Sequence, residues 1–122
     1  MKLFKKKEII IKDFDSFCLC KYRDGSRLWV NVSAQIKNGC LLISGQDLGD
    51  CVKEHFDDTD YEYWYSFDTE NTKLLITRLS EQKQKLDVKE LLSDDFSGLD
   101  GCRNLRNFCE KFGIKYDFSS YA

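Results

Sequence analysis

The chain has 122 residues, of which 19 are Lys or Arg and 21 are Asp or Glu, so its formal net charge is -2. This charge is too small to indicate a protein that binds nucleic acid or a membrane surface, and neither is expected as a partner. The length predicts one domain, residues 1–122. A content of 42 % hydrophobic and 14 % aromatic residues argues against disorder.

The N-terminal residues 1–12 are rich in Lys and are predicted to be a loose basic segment. Their apolar run, Ile9-Ile10-Ile11, is much shorter than a secretory signal or a membrane span requires. We therefore expect a cytoplasmic protein. In a reducing cytosol the six Cys residues are expected to be free thiols that fill the core.

The first third of the chain predicts three antiparallel strands. They cover Phe14–Tyr22, Leu28–Ile36 and Cys40–Ile43, with turns at Asp24-Gly25 and Asn38-Gly39, since these residues tolerate positive φ. Strict alternation in the first strand would place four side chains on one face: Ser16, Cys18, Cys20 and Tyr22.

A helix is predicted next, because Ser44-Gly45-Gln46-Asp47 has the pattern of a capping box. Leu48, Cys51, Val52 and Phe56 follow at helical spacing. Because a Gly inside a helix is destabilising, a helix that begins only at Gly49 is also consistent with the sequence.

The rest of the chain predicts one strand, three helices and a last strand. The strand spans Asp60 to Asp68, and Asp68 or Thr69 caps the first helix. A second capping box, Asp87 to Glu90, opens the next helix, and the third runs from Asp100 to Phe112 before a strand that begins at Ile114. The order βββ-α-β-α-α-α-β indicates an α+β fold with an antiparallel or mixed sheet of about five strands.

The charges are strongly segregated along the chain. Residues 1–46 carry +5, residues 47–70 carry -8, and residues 71–122 carry +1. The acidic segment is interleaved with aromatic residues, and two interpretations are open. Either the face made by Tyr61, Tyr63, Tyr65 and Phe67 belongs to the core while the acids are solvated, or carboxylates and aromatic rings together bind a basic protein.

Metal and catalytic motifs are weak. Cys18 and Cys20 are two residues apart, and the spacing of structural zinc ligands is absent, so no metal or cofactor is expected. Cys51 and His55 lie one helical turn apart, but their acidic neighbours would disfavour a thiolate. The sequence therefore favours a non-enzymatic protein.

Three strings resemble a family of short, uncharacterised bacterial cytosolic proteins. They are Ile43 to Gly49 (ISGQDLG), Tyr61 to Asp68 (YEYWYSFD), and the ending Ser119-Ser120-Tyr121-Ala122. The resemblance covers most of the chain beyond Leu28 and implies a bacterial cytosolic setting. That family has no assigned activity, so the resemblance implies no catalytic or binding residue.

The leading hypothesis is a protein-interaction module, in its most concrete form an immunity-type inhibitor that covers the active site of a basic toxin. Its predicted partner surface consists of Asp57, Asp58, Asp60, Glu62 and Trp64. One alternative is a small cysteine-dependent or other enzyme. Another is a structural subunit of a homo-oligomer, with Trp29 or Trp64 as an exposed anchor.

Overall fold

A computed structural model of the chain describes residues 9–56 and 60–121. The elements follow the predicted order and confirm the α+β fold. Three strands, β1 (Phe14–Asp24), β2 (Leu28–Lys37) and β3 (Cys40–Leu48), precede helix α1 (Asp50–Phe56) and strand β4 (Asp60–Ser66). Helices α2 (Thr69–Lys83), α3 (Val88–Phe96) and α4 (Gly101–Phe112) follow, and strand β5 (Asp117–Tyr121) comes last. The predicted loose segment, residues 1–12, lies mostly outside the described residues.

The strands form one antiparallel sheet in the order β1-β2-β3-β4-β5. The turn between β2 and β3 is the predicted Asn38-Gly39 pair, with both residues at positive φ. The Asp13 carboxylate accepts hydrogen bonds from the amides of Asn38 at 2.8 Å and Gly39 at 3.1 Å. These bonds hold the turn against the start of β1.

The core lies between one face of the sheet and helices α2, α3 and α4. Alternation on β2 and β3 buries one side of each strand, as predicted. The apolar stripes of the helices meet that side because their buried residues recur every three or four positions. The largest fully buried side chains include Ile36, Leu41, Ile43, Phe67, Leu75, Ile76, Leu79, Leu91, Leu92 and Leu105.

The predicted capping box at Ser44 to Asp47 is wrong. β3 continues to Leu48 because it pairs along its length with β2 and β4, which leaves these residues no freedom to start a helix. Helix α1 begins at Asp50, where the amide donates to the Ser26 carbonyl at 3.1 Å. At the two other predicted starts, Asp68 and Asp87 cap α2 and α3 with their side chains, as expected.

Strict alternation on β1 is also wrong. The register with β2 shifts between Phe14 and Phe17 and again between Cys18 and Cys20. Such irregularities change the face to which the following residues point. Cys18 is therefore exposed while Cys20 is buried, although the sequence placed both on one face.

The final strand begins later than predicted. Ile114 is buried, and its amide donates to the Cys109 carbonyl at the end of α4 instead of entering the sheet. The strand starts at Asp117, which pairs with Ser66 of β4.

A candidate partner-binding face on the open side of the sheet

Helices α2, α3 and α4 pack against one face of the sheet, and the short helix α1, whose buried Val52 lies outside the core cluster, contacts β2, β3 and β4. The second face of the sheet carries the side chains that point away from the core. We call it the outer face and define it by the outward side chains of β2, β3 and β4. None of these side chains is buried, in contrast to their neighbours on the inner face. They are Trp29, Asn31, Ser33, Gln35, Lys37, Cys40, Leu42, Ser44, Gln46, Leu48, Asp60, Glu62, Trp64 and Ser66.

A groove of about 510 Å³ crosses the outer face from β1 to β4. Its floor is polar because Ser33 pairs with Ser44 in neighbouring strands. Lys21 and the exposed Cys18 line the groove on the β1 side, and Glu62 and Trp64 line it on the β4 side. The groove therefore has a positive charge at one wall and a negative charge at the other.

Three of the five predicted partner-surface residues lie together on the outer face of β4. Asp60, Glu62 and Trp64 occupy alternate positions of the strand and are all partly exposed. Asp60 accepts a hydrogen bond from Gln46 Nε2 at 3.1 Å, which fixes its carboxylate over β3. The other two, Asp57 and Asp58, lie outside the described residues.

The two tryptophans of the outer face differ in how they are held. Trp29 Nε1 donates to the Gly25 carbonyl at 2.6 Å, and the guanidinium of Arg23 lies 4.0 Å from the centre of its ring. Trp29 is thus tied to the turn and covered by a cation. Trp64 lines the groove itself and pairs with Ser44 and Ser119 in the adjoining strands.

The opposite face of β4 belongs to the core, as the first interpretation expected of the tyrosines and Phe67, whereas the carboxylates Asp60 and Glu62 of the other face are partly exposed. Tyr63, Tyr65 and Phe67 are 8 %, 2 % and 2 % exposed. Tyr61 packs partly buried against Tyr63, with ring centres 5.4 Å apart. The tyrosines are therefore not part of a solvent-facing aromatic surface.

A partly buried polar contact on this inner face was not predicted from the sequence. Tyr63 Oη donates to Asp47 Oδ1 at 3.0 Å. The Tyr63 ring lies across Gly45, where a side chain would overlap it. Burial raises the pKa of the Asp47 carboxyl, and the hydrogen bond from Tyr63 opposes this effect. The sequence signal for this contact is a Gly that lies opposite a Tyr on the neighbouring strand. It can be recognised only once the register of β3 and β4 is known.

A second, partly buried contact links the sheet to α4. Arg106 Nη1 donates to the Tyr65 hydroxyl at 2.7 Å. Burial raises the pKa of Cys102 to about 11 and that of Cys109 to about 12. These α4 thiols are therefore held protonated near neutral pH, which is unfavourable for a nucleophile.

Cys51 and His55 are the Cys-His pair that the sequence places one helical turn apart. The side chain of His55 lies outside the described residues. Arg27 Nη2 lies 3.8 Å from Cys51 Sγ. The thiol therefore has a cationic neighbour that the sequence spacing did not indicate. Within residues 9–56 and 60–121, no three His, Cys, Asp or Glu side chains gather in a way that would hold a metal ion.

None of the described helices is long and apolar enough to cross a lipid bilayer. No family model matches the chain, and searches of curated proteins and of solved structures return no match.

Proposed function

We propose that this chain is a non-enzymatic interaction protein that binds a basic protein through the β4 side of its outer face. The observation that carries the proposal is the set of large apolar side chains on the outer face, which helices α2, α3 and α4 do not cover. An antiparallel sheet commonly leaves one face in water, but such a face is normally polar. Here Trp29, Leu42, Leu48 and Trp64 all occupy outward positions.

The charge around Trp64 supports a cationic partner. Asp60 and Glu62 share its strand face, and helix α1, which contacts β4, carries exposed Asp50 and Glu54. Tyr, Trp and Arg are the residues that most often dominate binding energy, and charges at the rim accelerate association with an oppositely charged surface. A partly buried Trp bordered by carboxylates fits this pattern.

The more specific form of the proposal is an immunity-type inhibitor of a toxin. A nuclease that cleaves a phosphodiester chain presents a cationic cleft, and a small rigid domain with an acidic aromatic face can occupy it. A bacterial cytosolic setting, part of the same proposal, would place such an inhibitor where a toxin acts.

The test uses the products of the genes adjacent to this one that carry a net positive charge, each immobilised and probed with the full-length chain. The variant Asp60→Asn/Glu62→Gln should weaken binding at least about tenfold at low salt, because rim charges facing a cationic partner lose their attraction. Its melting temperature should stay close to that of the wild type, since Asn retains an acceptor for Gln46.

A matched control removes the same charge elsewhere. Asp15→Asn/Glu110→Gln changes two exposed carboxylates on β1 and α4 and should leave binding nearly unchanged. If no basic neighbour binds, or if the β4 variant binds as tightly as the wild type at low salt, the proposed function is wrong. Stoichiometric loss of nuclease activity in the captured protein would establish the inhibitor form.

A further inference from the structure

The outward side chains of the sheet lie in rows that cross the strands, because residues directly opposite each other in an antiparallel pair share one face. Two of these rows line the groove. From β1 to β4, the first row contains Lys21, Asn31, Gln46 and Glu62. The second row contains, in the same strand order, Cys18, Ser33, Ser44 and Trp64.

Opposite charges stand at the two ends of the first row. Lys21 on β1 and Glu62 on β4 are three strand spacings apart, about 14 Å, which is too far for an ion pair within one copy. Neither side chain makes an ion pair within residues 9–56 and 60–121. The adjacent outward row repeats the pattern, with Arg23 on β1 and Asp60 on β4. The outer face thus has a cationic β1 side and an anionic β4 side.

We infer that the outer face docks against the outer face of a second copy of this chain, with a two-fold axis that runs parallel to the strands between β2 and β3. This rotation places β1 of each copy over β4 of the other, and β2 over β3. Lys21 then faces Glu62 of the second copy, and the same contact forms again at the other end of the row. Such a self-complementary surface is what a two-fold dimer, the commonest oligomer, requires.

The neutral positions of the rows also match under this rotation. Asn31 lies over Gln46 of the second copy, and two side-chain amides can donate to and accept from each other. Trp64 lies over Cys18, so a large side chain meets a small one, as in interdigitated layers. A two-fold axis across the strands would instead place Lys21 over Lys21. Charge therefore selects the axis parallel to the strands.

The dimer should be weak and concentration-dependent. Ser33 lies over Ser44 of the second copy, where the short hydroxyls leave room for bridging water. The docked face is four strands wide, about 19 Å, so the buried area falls at the lower end of the range for specific interfaces. A basic partner of the proposed kind would displace the second copy, because both contact Glu62. The dimer itself forms without such a partner.

Sedimentation velocity of the chain alone over a range of concentrations tests the dimer, and charge reversal tests its geometry. Lys21→Glu leaves carboxylates at both ends of the row, and Glu62→Lys leaves ammonium groups at both ends. Each variant should dimerise at least about tenfold more weakly than the wild type, because like charges then face each other. The double variant Lys21→Glu/Glu62→Lys, and an equimolar mixture of the two single variants, should recover dimerisation.

Lys73→Glu makes the same charge change at an exposed position of α2 and should leave dimerisation unchanged. Circular dichroism establishes that each variant is folded. A wild type that stays monomeric at every concentration overturns the inference, as does a dimer that survives both single reversals. A double variant as weak as the single ones excludes the contact between Lys21 and Glu62. Lys21→Glu should not weaken capture of a basic partner, so failure of the dimer and failure of the proposed function are distinguishable.

Discussion

Asp47 shows how a residue can be misassigned from local sequence. Its neighbours resemble a helix cap, but the side chain lies in a strand on the inner face and accepts a hydrogen bond from Tyr63. The contact depends on Gly45, since only a residue without a side chain leaves room for the Tyr63 ring. A glycine in a strand interior thus marks close approach of an aromatic ring across the sheet.

The half-buried Asp47 should reduce stability at neutral pH. Burial raises the pKa of its carboxyl above the ordinary value of 3.8, so the folded state binds the proton more tightly than the unfolded state. This contribution favours folding at low pH and is lost as the pH rises through the raised pKa. Asp47→Asn keeps an acceptor for Tyr63 and should be more stable than the wild type at pH 7, because it removes the cost of burying a charged carboxylate.

Urea unfolding at several pH values measures this difference, which should shrink as the pH falls toward 4. Asp13 provides a control of opposite sign. Hydrogen bonds from the amides of Asn38 and Gly39 lower its pKa, so Asp13→Asn should lose stability at neutral pH, and that loss should disappear on acidification. A stability gain for Asp47→Asn that does not change with pH would contradict the assignment.

At the scale of elements, helix α2 is joined to the sheet by a buried hydroxyl. Thr72 is fully buried; its Oγ1 accepts from the Leu41 amide at 2.9 Å and lies 3.4 Å from the Phe67 carbonyl. One side chain thus satisfies the backbone of β3 and of the segment that leads into α2. No buried side-chain nitrogen or oxygen lacks a partner among the described residues.

Thr72→Val keeps the shape of the side chain but leaves the Leu41 amide without an acceptor. An unsatisfied buried donor costs about 1–3 kcal/mol, so the free energy of unfolding should fall by that amount. Thr77→Val makes the same replacement at a partly exposed position of α2 and should change stability by less than about 0.5 kcal/mol. Chemical denaturation compares the two. Equal effects would show that Thr72 acts through helix propensity alone.

The order and type of the elements could be predicted because periodicity and turn residues are local signals. The Asn38-Gly39 turn and the caps at Asp68 and Asp87 depend only on neighbouring residues, and all three were confirmed. The errors arose where pairing between strands decides. At Ser44 the capping pattern predicted a helix, but backbone pairing with β2 and β4 on both sides extends β3 instead. In β1, two register shifts place Cys18 and Cys20 on different faces.

In the candidate site, too, the local sequence predicts some features, while others depend on how the strands pair. Alternation placed Glu62 and Trp64 together on one side of β4, and the burial of Tyr63 and Tyr65 agrees with it. The groove that these residues share with Lys21 could not be predicted, because it requires four strands in register.

At the scale of the whole molecule, one hydrophobic cluster includes residues from nearly every element. Cys20 of β1 and Cys109 of α4 both belong to it and are 6 % and 1 % exposed. Residues that share one cluster should become accessible in the same cooperative opening. The two thiols therefore report on the unfolding of the domain from opposite ends of the chain.

Single-cysteine variants that retain Cys20 or Cys109 should react with a thiol reagent at the same protection free energy, equal to that of global unfolding. A variant that retains only the exposed Cys18 should react rapidly in the folded state. Labelling followed by mass spectrometry at increasing urea gives these values. Faster labelling of Cys20 than of Cys109 would show that β1 opens separately and would contradict a single cooperative unit.

The placement of β5 has a consequence for how the sheet is assembled. β1 to β4 form by pairing strands that are close in sequence, whereas Asp117 reaches Ser66 only after α2, α3 and α4. Closing so long a segment costs chain entropy that the local hairpins avoid, and contacts of high sequence separation slow folding. Chain entropy thus favours the pairing of β1 to β4 before the fifth strand adds to the β4 edge.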